Sequence, residues 1–370
     1  MGRVSCLRDL ETPVGLVDVS RMRANLMAAG DYCKQWRIGY RPHAKSHTSA
    51  ELAKEQLKVG ALGMTVATPR EAEVMARVTD DILVAYPPVG PARLARLLSL
   101  PERVRLTVAL DSAEALRPLA REARAKGRQV GVLVEVDVGL GRVGVQSVGE
   151  LLGLAREVAD TQGVEYRGLM LYPGHIRMPV PEQTGPLRAL SEVLEAILDA
   201  LGRGGLAPEV VSGGSTPTFS RSHEVAGVTE VRPGTGIFND RTTALLEACA
   251  WTDCAYSVLA TVVSTSVPGQ VVVDAGSKAL AKEEIRAVFS DPEISAGYGC
   301  LLDQPGLRVT ALSEEHGVIE LGDGSWQPRP GDLVRVVPNH VCVSVNLQDR
   351  LWQVSGDEVL GWWEVEARRH

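Results

Sequence analysis

Short apolar runs alternate with longer amphipathic stretches from residue 15 to about residue 240. The short runs fall at residues 15–19, 40–45, 63–67, 82–86, 105–110, 130–136, 168–172, 209–212 and 229–232. They are nearly continuous in apolar residues, as strands buried on both faces are. Between them, residues 21–36, 69–78, 112–126, 148–160 and 182–201 carry apolar positions at helical spacing. Regular alternation of this length predicts parallel strands joined by helical crossovers. The α/β arrangement expected is a TIM-like (β/α)8 barrel over residues 12–244. Nine runs are one more than such a barrel takes, so residues 15–19 are expected to pair outside it, with the second domain. An open doubly wound sheet is the alternative. The absence of a dinucleotide-type glycine fingerprint after the first strand counts against it.

The pattern changes after about residue 245. Residues 256–264, 270–274, 308–312, 317–321, 332–337, 350–354 and 359–366 read as strands with no long helix among them. Turn signals separate them, at Pro268-Gly269, Gly322-Asp323-Gly324, Pro330-Gly331 and Ser355-Gly356-Asp357. Residues 245–370 are therefore expected to form a C-terminal all-β domain. Composition narrows the class further. With 370 residues, 45% of them hydrophobic, the chain fits a globular protein of one large or two ordinary domains. A net charge of -7 argues against nucleic-acid binding. No apolar stretch is long enough for a membrane span, and residues 1–16 lack the apolar core of a secretory signal. Six cysteines without CxxC spacing suggest reduced thiols and a cytoplasmic location.

Lys45 stands between His43 and His47, at the end of the second strand-like run. A lysine becomes a covalent catalyst when its amine can lose its proton, and a half-buried place among cationic neighbours favours that. A Schiff base with an aldehyde cofactor is the natural use of such a residue. Two donor-rich loops follow the last barrel-like strands: Ser212, Gly213, Gly214, Ser215 and Thr216 in one, Gly234 and Thr235 in the other. Glycines let backbone N–H groups approach an anion, and barrels commonly bind phosphate at this position. Arg142 in a glycine-rich loop offers a guanidinium for an anionic group. Tyr172 and His175 stand at the end of a barrel strand, where proton-transfer groups are built. In the β domain, a strand running on past residue 337 would turn His340 and Cys342 to one face, making half of a divalent-metal site.

The stretch Pro42-His43-Ala44-Lys45-Ser46-His47 resembles the cofactor-lysine segment of the fold-type III pyridoxal-phosphate enzymes. From about Thr12 to about Trp362 the chain is similar to their D-threonine aldolase and D-serine dehydratase group. The resemblance implies a pyridoxal 5'-phosphate barrel followed by a β domain. It also implies cofactor contacts at Arg142 and Tyr172 and a metal, zinc or manganese, at His340 and Cys342. His316 is expected near the site entrance, and Asp274, Lys278 and Tyr298 are further polar groups that could face the site. The activity implied is that of a lyase acting on D-β-hydroxy amino acids, with Lys45 or His175 as the base. Aldol cleavage of D-threonine is the leading expectation. Dehydration of D-serine or 3-hydroxy-D-aspartate is the alternative, followed by racemisation and by a non-catalytic cofactor carrier. A homodimer is expected, with a small D-amino acid as its substrate.

Overall fold

The computed structural model describes residues 4–285, 289, 291–322 and 326–368. The expected turn at 322–324 lies partly outside them. Strand β1 (Val14–Asp18) opens the chain. Eight parallel strands follow: β2 (Gly39–Tyr40), β3 (Met64–Val66), β4 (Asp81–Val84), β5 (Arg105–Leu110), β6 (Val130–Val136), β7 (Val164–Leu171), β8 (Val210–Gly213) and β9 (Glu230–Val231). They form one sheet in the order β2-β9-β8-β7-β6-β5-β4-β3. A parallel bridge from His43 to Thr65 links its two ends, and the Thr65 N–H donates to the Pro42 carbonyl at 2.9 Å. This is the TIM-like arrangement the alternation predicts. Every residue of β6 is buried, which explains the unbroken apolar run. The outer helices bury one stripe each, for example Leu116 and Leu119, or Leu190, Leu194 and Ile197, in a single cluster with the strands.

One part of this interior is charged. Arg41 donates from Nε to Glu230 at 2.9 Å and from Nη1 to Asp81 at 2.8 Å. Ser212 Oγ donates to Glu230 Oε1 at 2.6 Å and accepts from Arg232 Nη1 at 2.7 Å. The network ties β9 to β8 and to the segments around β2 and β4. A buried network of this kind is robust only while each member keeps its partner.

The remaining strands are β10 (Tyr256–Ser264), β11 (Gln270–Val273), β12 (Gly299–Leu301), β13 (Val309–Leu312), β14 (Gly317–Glu320), β15 (Leu333–Pro338), β16 (Arg350–Ser355) and β17 (Glu358–Glu364). They and β1 form a second sheet along β13-β14-β11-β10-β1-β16-β17, with β15 on β10 and β12 on β15. As expected, β1 leaves the barrel: it runs antiparallel to β10 and parallel to β16. The three-residue β12 carries no periodicity and has no counterpart in the predicted strands. The helix Val19–Trp36 buries Met22 and Leu26 in a cluster with Val258, Val271 and Val336 of this sheet. The C-terminal tail returns to the barrel, where Glu366 Oε2 accepts the N–H of Ala50 at 2.8 Å.

Candidate active site

Lys45 lies in a single 3-10 turn, Ala44–Ser46, and not at the end of a strand. Pro42 has no N–H to extend the ladder. The His43 side chain then caps the turn, its Nδ1 accepting the Lys45 N–H at 3.3 Å. His43, Ser46 and His47 are buried, whereas the Lys45 side chain is exposed to a cavity of about 680 Å³. The flanking histidines differ from the cationic neighbours expected. Burial, then Lys45 and Arg232, hold His43 well below its ordinary value. Burial pulls His47 down to about 4. Its Nε2 faces Gln56 Oε1 at 3.1 Å and its Nδ1 accepts the Ser49 N–H, the pattern of a neutral ring.

The cavity opens beyond the C-terminal ends of the barrel strands. Gly214, Ser215, Thr216, Gly234 and Thr235 line it. Gly214 has φ +76°, and a Cβ there would meet Val231 at 3.0 Å. A Cβ on Gly234 would meet Ser46 Oγ at 2.7 Å. Both positions therefore require glycine, and the backbone comes close to the cavity. Among the described residues, the N–H groups of Gly214, Thr216, Gly234 and Thr235 donate to no other group. Such a set of unengaged donors fits a phosphate. Ser212 and Gly213 do not line the cavity. Strand alternation turns Ser212 inward to Glu230 and Arg232, which corrects its assignment as a phosphate contact.

Arg142 and Tyr172 both line the cavity, with the guanidinium carbon 5.2 Å from the ring centroid. Asp137 Oδ1 builds the loop that carries Arg142 by accepting the N–H groups of Gly139, Leu140 and Gly141. The Tyr172 ring lies across Gly174, where a Cβ would sit 2.3 Å from it. His175 is exposed, is not part of the cavity wall, and packs its ring beside Gly139. This geometry does not bring it to the cavity as a base.

His340 and Cys342 come together by a route other than the predicted one. Strand β15 ends at Pro338, His340 caps the helix Val341–Asn346, and Cys342 lies in its first turn. The two side chains stand close enough that each shifts the titration of the other. Asp240, fully buried, accepts from His340 Nδ1 at 3.2 Å and from the Val341 N–H at 3.1 Å, fixing the imidazole as a carboxylate partner fixes a ligand. Cys342 Sγ is 3.1 Å from Ser46 Oγ, next to Lys45. Burial pushes the Cys342 thiol up, but His340, Lys45 and Ser46 outweigh it and bring it down to about 7. The thiolate in turn, with Asp240, holds His340 well above its ordinary value. A thiolate and an imidazole suit a soft divalent ion such as zinc, leaving further positions open. Among the described residues, no third His, Cys, Asp or Glu joins them as a possible ligand.

Three cavity-side groups lay outside the predicted set. Arg232 is buried, lines the cavity, and is held by Ser212 and the Leu171 carbonyl. Glu135 also lines it, 3% exposed, with Oε2 lacking a partner among the described residues; burial pushes this carboxyl up to about 7 against the pull of Arg232 and Arg142. Asp240 is the third. A lone Glu in a valine-rich strand and the Glu230-x-Arg232 alternation were the available signals. His316 is exposed, and neither it nor Asp274, Lys278 or Tyr298 lines the cavity. Asp274 bonds Thr12 and Thr261, and Lys278 pairs with Glu315.

The family pattern of the alanine racemase N-terminal domain matches residues 17–242, and that of a serine dehydratase domain matches residues 255–354. A D-threonine aldolase from Arthrobacter sp. is 32% identical, covering 98% of this chain and 94% of its own. The crystal structure of D-threonine aldolase from Filomicrobium marinum superposes with TM-score 0.89 at 30% identity, over 99% of this chain and 98% of that one. A cysteine-to-alanine mutant of D-threo-3-hydroxyaspartate dehydratase, solved in the metal-free form, gives 0.86 at 32% identity over 99% of both chains. With both halves of the chain matched and relatives aligned along nearly its whole length, the chain belongs to the alanine racemase-like family of pyridoxal-phosphate enzymes, in the group that holds D-threonine aldolases and D-hydroxyaspartate dehydratases.

Proposed function

We propose that this chain is a pyridoxal 5'-phosphate and divalent-metal lyase that cleaves D-threonine to glycine and acetaldehyde. The observation that carries the reading is the adjacency of Lys45 to Ser46, whose Oγ is 3.1 Å from Cys342 Sγ. It joins an amine for an aldehyde cofactor to a thiol–imidazole pair suited to a metal. When bound, the cofactor would supply an electron sink for the α-carbon, and the metal would acidify the substrate's β-hydroxyl. The free N–H groups of Gly214, Thr216, Gly234 and Thr235, with the Ser215 and Thr216 hydroxyls, bind the phosphate. Lys45 would provide the amine that attaches the cofactor, and its amine is the group placed to take the hydroxyl proton. Arg142 and Tyr172 orient the anionic groups in the cavity, and Arg232 and Glu135 set the charge of its floor. His340 and Cys342 hold the metal, with Asp240 orienting the imidazole.

Dehydration is the second reading, and Cys342 favours it: the metal-free relative with its cysteine removed is a hydroxyaspartate dehydratase. The protein is proposed to work as a cytoplasmic homodimer; among the described residues no helix is long and apolar enough to cross a membrane. Light scattering gives the assembly directly. The deciding experiment offers purified protein D-threonine, D-serine and 3-hydroxy-D-aspartate, with L-forms as controls, cofactor and manganese or zinc supplied. Glycine with acetaldehyde supports the aldolase, and a 2-oxo acid with ammonia transfers the reading to dehydration. No product from any D-substrate removes both.

A further inference from the structure

Two thiols that the proposed reaction does not use stand behind His340. Cys249 and Cys254 flank the single turn Trp251–Asp253, and their sulfurs sit against two atoms that are themselves hydrogen-bonded at 2.9 Å, Thr243 Oγ1 and the Asp240 carbonyl. Both are free thiols. Each also supports the cap that orients His340. Cys249 Sγ donates to Thr243 Oγ1 at 3.6 Å, and Cys254 Sγ donates to the Asp240 carbonyl at 3.7 Å. Thr243 N–H in turn donates to Asp240 Oδ1 at 2.9 Å, while Asp240 Oδ2 holds His340 Nδ1 and the Val341 N–H. Cys254 is 1% exposed, whereas Cys249 is half-buried.

We propose that Cys249 and Cys254 are a disulfide-forming site, and that closing it loosens the Asp240–Thr243 cap under His340. The co-reactant is a small-molecule disulfide of the oxidised-glutathione class. Cys249 loses its proton to solvent, and its sulfur attacks one sulfur of the oxidant, expelling one small thiolate. Cys254 then gives up its proton and attacks Cys249 Sγ, expelling the second. Two cysteine thiols lose two electrons and two protons, and one small disulfide becomes two thiols. The contact with Cys249, then burial, pushes the Cys254 thiol up, so the outer thiol is the one that meets the oxidant. The new S–S bond removes both S–H donors from Thr243 Oγ1 and the Asp240 carbonyl.

Trypsin releases both cysteines in one peptide, residues 242–278, which contains no other cysteine. The full-length protein is treated with oxidised glutathione, then unfolded in urea with N-ethylmaleimide so that buried thiols react, and digested without reductant. The peptide is expected two hydrogens lighter and without maleimide, whereas untreated protein carries two. Two maleimides after oxidation, or a lasting glutathione adduct on Cys249, overturns the site. Cys249→Ser is expected to form no bridge, and a bridged product from it would point to a different pair. Hydrogen–deuterium exchange then reads the coupling: the Thr243 and Val341 amides should exchange about threefold faster or more in the bridged protein. Unchanged exchange overturns the link to His340. Neither readout uses cofactor, metal or substrate, so both stand if the lyase assignment fails.

Discussion

Ser212 and Thr216 belong to one glycine-rich segment, yet one faces the charged interior and the other the cavity. Replacing Ser212 by Ala leaves Glu230 and Arg232 each short of a partner. Ser212→Ala is expected to cost about 1–3 kcal/mol, read by urea unfolding. Lys45→Ala leaves no amine to attach an aldehyde. Borohydride should then fix no pyridoxal phosphate to the protein, and turnover should fall about a thousandfold or more. If the variant still takes up label at that site, Lys45 is the wrong residue. The His340–Cys342 pair makes a pH prediction. A metal must displace the protons of both groups, and Cys342 titrates near 7 while His340 titrates well above its ordinary value. Below about pH 7 both carry protons, so log affinity for zinc should climb about two units per pH unit; above it the slope should fall to about one. In Cys342→Ala the steeper limb should vanish. Competition titrations between pH 6 and 8 measure this, and a flat profile would remove the pair as ligands.

At the scale of elements, the loop after β6 shows how a backbone carries a side chain to its place. Asp137 accepts three successive N–H groups, and Arg142 follows directly. Asp137→Ala is expected to weaken pyridoxal phosphate binding about tenfold, a loss near 1.4 kcal/mol. Arg142→Ala should do about the same, and the double variant little more than either, because both act through one guanidinium. Additive losses, read by fluorescence titration, would separate the loop from the arginine. The barrel strands and most β-domain strands were legible because buried strands carry continuous apolar runs and turns carry glycine and proline. The one-turn elements were not. The turn that presents Lys45, the helix that carries Cys342 and the short β12 are too brief for periodicity to register. His340 and Cys342 were expected side by side for a reason that failed: a strand was expected to align them, and a helix N-terminus does so. The inward turn of Ser212 follows from strand alternation once the strand's end is known, whereas the packing of His175 beside Gly139 is a contact distant in sequence, which no local pattern encodes.

The two sheets of the molecule are interlocked by chain crossings. β1 is strung between β10 and β16, and the C-terminal Glu366 reaches the barrel to accept the Ala50 N–H and pair with Arg77. Ala50 begins the helix that follows the Lys45 turn. Glu366→Ala is therefore expected to lower stability by about 1–2 kcal/mol, as loss of a helix cap does, with calorimetry as the measurement. A wild-type melting profile would show the tail to be passenger. Such interlocking also fixes something about substrates. Lys45 is followed in the chain by Ser46, and Ser46 touches Cys342. On the proposed reading, these three residues act as a ruler laid between a substrate's amino nitrogen and its β-oxygen. A ruler of that kind measures only the first two carbons of an amino acid. Stringency should then be absolute for a β-oxygen and slack beyond it, so that longer or aromatic D-β-hydroxy amino acids compete with D-threonine on the merits of the cavity wall alone.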